Sequence, residues 1–370
     1  MVNLKFGMFT ESVLNLAREK MARLLGKRDD LRRRGIFLIC LMLITCGRLY
    51  LLKNEDIITV HSGYDDSLFI ELGRSAFWWR PPDIASLIRL PVYPLWTWLC
   101  YQTGIPLYFG TNMLTIAASL FLVYALRELN LPRFACAAVY AAQLFEINAI
   151  DSMRRVGANN LYGILFLTTL AWMALALAST HRRQLSRVSG GLAVSLGLFA
   201  ITRAESILAT IPFLCFVAAF ILREMMALGR KGISVHTLSA AGLLPALALV
   251  VAPLVVAAAN KAAFGVFTSC SLTSSAFRAA MNHLLAVKPD KDIPYVPVTR
   301  DARKKAYAVS PTFAKLSPFL EGSPGRRWGG RGALSYHVAP EEIGGGWFFC
   351  IYFKFQGNPK NRQNILTNSR

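Results

Sequence analysis

Charge is scarce in this chain. Asp, Glu, Lys and Arg make up 17% of its 370 residues, against about 25% in a soluble domain. Negative charge is the scarcer sign, 21 Asp and Glu against 41 Lys and Arg, which leaves a formal net charge of +20. Paired cysteine motifs are missing as well. The seven cysteines (Cys40, Cys46, Cys100, Cys136, Cys215, Cys270 and Cys350) form no Cys-x-x-Cys and no zinc-like spacing with histidine, which argues against a disulfide framework and a metal centre. Most of them fall in apolar runs, where a thiol packs as a small hydrophobe. No small-residue cleavage pattern follows the first apolar run, so no cleavable signal peptide is expected. A nucleic-acid partner is excluded too, because the basic residues sit in short clusters between apolar runs and not along one stripe.

What the chain has in abundance is apolar length. It is 54% hydrophobic with a mean hydropathy of +0.40, and the runs at 35–52, 105–126, 134–150, 159–179, 188–206, 207–222 and 237–258 approach the ~20 residues that cross a bilayer. The pattern predicts an all-α, polytopic membrane protein of about seven transmembrane helices, with a large first external loop and a loop-rich external C-terminal segment. Residues 1–34 read as a cytoplasmic amphipathic segment with a basic finish. Residues 35–258 form the membrane domain, including the external loop 53–104. Residues 259–370 form the external segment, with short helices expected near 273–287 and 300–308 and the last ~20 residues unstructured. The stretch 92–101, with Trp96, Trp98 and Tyr101, suits an interfacial helix.

Orientation follows from the basic turns. Arg127 and Arg133, then Arg182, Arg183 and Arg187, then Arg223, Arg230 and Lys231 fall in alternate connections, which places those turns and the N-terminus in the cytoplasm. The C-terminus then lies outside, and a bacterial inner membrane is the expected location. Arg48, near the outer end of the first span, is expected to snorkel to the surface.

The remaining polar residues collect on the external side. Asp65 and Asp66 open a helix whose apolar positions are Leu68, Phe69 and Leu72. One acid there is explained by helix capping, and a capping role is compatible with a catalytic one. Glu146 and Asp151 close the third span, Arg154 and Arg155 precede the fourth, Asn159 and Asn160 lie just inside it, and Arg203 and Glu205 form the turn after the fifth. Charges at membrane depth cost about 2.5–3.5 kcal/mol on insertion scales and mark a pathway or a site. Arginine suits a phosphate because its planar fork meets two oxygens at once. His61 is the one histidine near the acidic pair.

These residues carry a resemblance. The stretch Tyr64-Asp65-Asp66-Ser67-Leu68-Phe69, at the opening of the first external loop of a multi-span chain, is similar to the acidic pair of the GT-C membrane glycosyltransferases, among them protein O-mannosyltransferases and aminoarabinose transferases. Gly63 to Gly73, Leu90 to Leu95, Arg154-Arg155 and Ile343 to Trp347 also resemble uncharacterised bacterial polytopic membrane proteins of that layout. The histidine found shortly after the pair in the mannosyltransferases is Leu68 here, and no recognisable sugar-binding domain follows the last span. The resemblance implies an inverting glycosyltransferase that takes a sugar from a polyprenyl-phosphate lipid at the outer face. Asp65 and Asp66 would be catalytic, Arg154, Arg155 and Arg203 would hold the donor phosphate, and His61, Tyr64, Asn159 and Glu205 would contact acceptor or sugar. No metal ligand set is expected, and the need for a divalent cation stays open. The alternatives are a non-enzymatic lipid or polymer export or assembly factor, and an inactive truncated relative.

Overall fold

The computed structural model describes residues 31–53, 55, 57, 65–78, 84–179, 181–204, 207–228, 242–294, 296–323, 325–326, 329–330, 333 and 337–343. The described residues are helical or irregular throughout, and no strand occurs among them. The chain divides into two compact units, Met1–Ser271 and Leu272–Arg370.

The first unit holds ten α-helices among its described residues: α1 Leu31–Leu52, α2 Asp65–Arg74, α3 Val92–Thr103, α4 Leu107–Glu128, α5 Arg133–Phe145, α6 Ile147–Met153, α7 Ala158–Ala178, α8 Arg182–Ala200, α9 Ile207–Leu228 and α10 Leu244–Phe264. Among the described residues, five helical segments are long and apolar enough to cross a membrane: α1, α4, α7, Leu208–Met226 within α9, and α10. This is the pattern of a multi-pass membrane protein. The other two expected spans differ. Helix α8 carries Arg182, Arg183 and Arg187 in its first turns and ends at Ala200, and the run 134–150 is broken.

That break has a local cause. Glu146 leaves the helix in an extended conformation and caps α6, its carboxylate accepting the Asn148 N–H at 3.0 Å and the Ala149 N–H. An apolar run that reads as one span is therefore two helices of 13 and 7 residues. Other boundaries follow ordinary rules. Helix α4 ends at Leu129, with Asn130 in the left-handed region (φ 62°). The Asn130 N–H bonds Arg127 O and the Leu131 N–H bonds Leu126 O, the paired closure that lets a chain leave a helix without orphaned carbonyls. The C-terminus of α7 is closed from another helix: Arg223 of α9 donates to Ala176 O, Leu177 O and Ser179 O at 3.1, 2.5 and 3.1 Å.

Small residues set the helix approaches, as expected where apolar solvent gives no hydrophobic drive. A Cβ on Gly191 of α8 would stand 2.5 Å from the Trp172 ring of α7, and one on Gly73 of α2 would stand 2.1 Å from Thr97 Oγ1 of α3. Gly197 of α8 lies against Ala248 and Ala252 of α10. The main core joins α4, α7, α8 and α9 through Leu122, Ala171, Leu192, Leu196, Phe199 and Phe216. A second core seats α2 and α3 on the start of α7 through Phe69, Tyr93, Ala118, Val156 and Leu161. A third holds α1 and α5 to α4 through Leu41, Ile116, Val123, Tyr140 and Leu144.

In the second unit, α11 Ser275–Ala286 and α12 Arg300–Val309 lie close to the expected positions, followed by two single turns, α13 Pro311–Ala314 and α14 Ser317–Leu320. Ser274 and Thr299 cap α11 and α12 with their hydroxyls, which satisfies first-turn amides. Met281, Val298, Ala302 and Leu320 form its core.

Candidate functional site

Helix α2 presents Asp66, Phe69, Leu72 and Gly73 at positions i, i+3, i+6 and i+7, one face of a helix, and that face is buried. Phe69 meets the edge of Tyr93 at 5.0 Å. Asp66, only 2% exposed, turns an oxygen to the backbone amide of Val156 at 3.3 Å. The acidic helix is thus seated on the joint between α6 and α7, ninety residues away in sequence. Asp65 opens the same helix.

The joint itself is held by Asn160, whose amide donates to Ser152 O and Arg155 O and accepts from Ser152 Oγ at 2.9 Å. Its arginines are then directed differently. Arg154 pairs with Glu55 at 2.5 Å. Arg155 is exposed. Arg203 bonds the Asn159 side-chain oxygen and lies over the Tyr162 ring at 5.7 Å. Asp66, Arg154, Arg155, Arg203 and Asn159 therefore gather around the start of α7. His61, Tyr64 and Glu205 lie outside the described residues. Among those residues, no group of three or more His, Cys, Asp or Glu is placed to hold a metal ion.

The structure adds residues that sequence reasoning passed over. Arg48 does not snorkel: it is 2% exposed and points into the bundle, donating to Asn112 Oδ1 at 2.5 Å and Met153 Sδ at 3.3 Å. Asn112 of α4 is fully buried and fixed by its own bond to Tyr108 O at 2.8 Å. Arg48 turns instead to the Asn112 amide oxygen on the neighbouring helix, and the snorkelling expectation fails. Among the described residues, two of its nitrogens, Nε and Nη1, find no partner, and neither do the buried Tyr108 Oη and Arg154 Nε. Tyr108 lies within electrostatic reach of Arg48, Glu55 and Arg154. Arg48 and Asn112 both interrupt apolar runs, and that was the readable signal. Outside the spans, burial pushes the Tyr93 hydroxyl upward.

No family of known proteins, no curated protein and no solved structure matches this chain.

Proposed function

We propose that the protein is an inverting glycosyltransferase that moves a sugar from a polyprenyl-phosphate donor to an acceptor hydroxyl at the outer face of the membrane. The observation that supports this most directly is the docking of the acidic helix on the arginine-bearing joint, through Asp66 and the Val156 amide. Transfer needs a base and an anion-stabilising group within one small volume. Asp65 takes the acceptor proton, the acceptor oxygen bonds to the anomeric carbon, and the bond from that carbon to the phosphate oxygen breaks. Polyprenyl phosphate leaves as an anion, which Arg155 and Arg203 stabilise electrostatically. Asp66 acts as a positioning residue that orients α2. In this reading α5 with α6, and α8, cross the membrane beside the five long apolar helices, with the N-terminus in the cytoplasm.

The test is incubation of the purified protein with a panel of labelled polyprenyl-phosphate sugars. Transfer from one of them is expected. Asp65→Asn, nearly isosteric, should lower it by about 10²–10⁴-fold while leaving expression intact. Arg155→Lys and Arg203→Lys should weaken donor binding despite keeping the charge, since the fork is lost. No transfer from any donor would remove the enzymatic reading and favour an export or assembly role. Undiminished turnover by Asp65→Asn would remove the base.

A further inference from the structure

A guanidinium withdrawn from water is ordinarily surrounded by acceptors, because each unmet donor in a low-dielectric interior is costly. Arg48 departs from this rule. One nitrogen is fixed by Asn112 and Met153, while Nε and Nη1 have no acceptor among the described residues. Among the described residues no carboxylate pairs with it. Among the same residues the nearby buried Tyr108 hydroxyl finds no partner either, nor does Nε of Arg154. Glu55 is engaged with Arg154, so these three ionic groups retain a positive charge. Unmet donors on Arg48 of α1, Tyr108 of α4 and Arg154 of the joint after α6, with no uncommitted acid among the described residues to receive them, are donors that an oxyanion would complete.

We infer that Arg48, Tyr108 and Arg154 form a binding site for the phosphate group of a membrane lipid. A tetrahedral oxyanion offers the several acceptor oxygens that these donors lack. Position favours a lipid over free phosphate. Arg48 lies four residues before the end of α1, about 6 Å along the helix axis, close to headgroup depth. Helix α1 turns Leu38, Ile39, Met42, Leu43 and Tyr50 outward, an apolar surface along which an acyl or prenyl chain can lie while its phosphate reaches Arg48. The site stands on Arg48 and its neighbours, and would serve a lipid exporter as well as a transferase, so it does not depend on the transfer reading.

The experiment uses the full chain in a maltoside detergent, which brings no phosphate of its own. Decyl phosphate, decanol and inorganic phosphate are titrated while thermal unfolding is followed. Decyl phosphate should raise the unfolding midpoint, decanol should not, and inorganic phosphate should bind at least tenfold more weakly. Arg48→Met should weaken decyl phosphate binding by about tenfold or more, the range of a charge-assisted hydrogen bond. It should also raise the midpoint of the unliganded protein, because an uncompensated charge is removed. A purely structural Arg48 predicts the opposite sign. Tyr108→Phe removes one donor with little change in packing and should weaken binding several-fold. This second variant keeps the test valid where Arg48→Met does not accumulate. Unchanged affinity in either variant would overturn the site, as would absence of binding by the native chain. Equal affinity for inorganic phosphate would overturn the lipid assignment.

Discussion

Arg48 and Arg303 are both withdrawn from water, and the second shows what a completed arginine looks like. Arg303 donates to both oxygens of Glu321 at 2.7 and 3.1 Å, and to Val298 O, Glu342 O and Glu341 O at 2.9, 3.0 and 2.8 Å. Its charge is neutralised and its nitrogens are occupied. Glu321→Gln should therefore cost about 3 kcal/mol in the second unit by leaving a buried cation unpaired, readable as a drop in the denaturant midpoint. Asp66 invites a matching test. Asp66→Ala leaves the Val156 amide without this acceptor, which should cost about 1–3 kcal/mol and loosen α2, raising amide exchange over 65–74. Unchanged exchange there would separate α2 from the joint. Sequence alone pointed to Asp66 and Arg154, because charge near an apolar run stands out. It read Arg48 as snorkelling because a basic residue near a span end has an easy exit, and only the position of Asn112 on the neighbouring helix shows that this exit was not taken.

Among the elements, α7 and α8 approach closely through Gly191 and Trp172. Gly191→Val would drive a branched side chain into the Trp172 ring, an overpacking worth about 1–3 kcal/mol. The thermal midpoint of the detergent-solubilised protein should fall, and Trp172→Leu in the same chain should restore part of it. A lack of rescue would show that the glycine acts elsewhere. Arg223 offers a second handle: Arg223→Met removes three bonds to the end of α7 and should cost about 1–2 kcal/mol. The helices themselves were legible. The acidic opening of α2, the helix α3 and the two short helices near 275–286 and 300–309 follow from caps, glycines and apolar spacing. The split between α5 and α6 was not, because Glu146 sits inside an otherwise apolar run and its capping bonds depend on a backbone angle that composition does not encode.

For the whole molecule, the two units should respond differently to acid. In the second unit, burial alone would raise the Glu321 pKa, but hydrogen bonds and charge from Arg303 outweigh it and the net shift is downward. Asp301 is lowered by the Thr299 hydroxyl and the Asp290 amide. Carboxylates depressed in the folded state contribute stability above their unfolded values, 4.5 and 3.8, and that contribution is lost as pH falls through the folded values. Amide exchange over 272–343 should accelerate below about pH 4. At the alkaline end, burial and the bond to Glu321 push Tyr307 up to about 12, so the stability it carries should be lost as pH rises from 10 to 12. A flat profile at both ends would detach these groups from stability. Orientation is open to a direct measurement: in a cysteine-free background, Arg183→Cys should resist labelling from outside intact cells, and its labelling would invert the proposed topology.

The interruption at Glu146 has one more consequence. Helix α5 has 13 residues, about 20 Å at the usual rise, whereas a hydrocarbon core measures about 30 Å. In the proposed topology α5 crosses only with the help of α6, and where α6 leaves the axis of α5 the bilayer would dimple toward the shorter apolar wall, drawing its headgroups inward on that flank. The dimple would form on the side of the bundle where α5 and α1 both pack on α4, and it would bring the headgroup plane down toward the depth of Arg48. The protein should accordingly favour thin membranes, and lengthening the surrounding acyl chains should tax it.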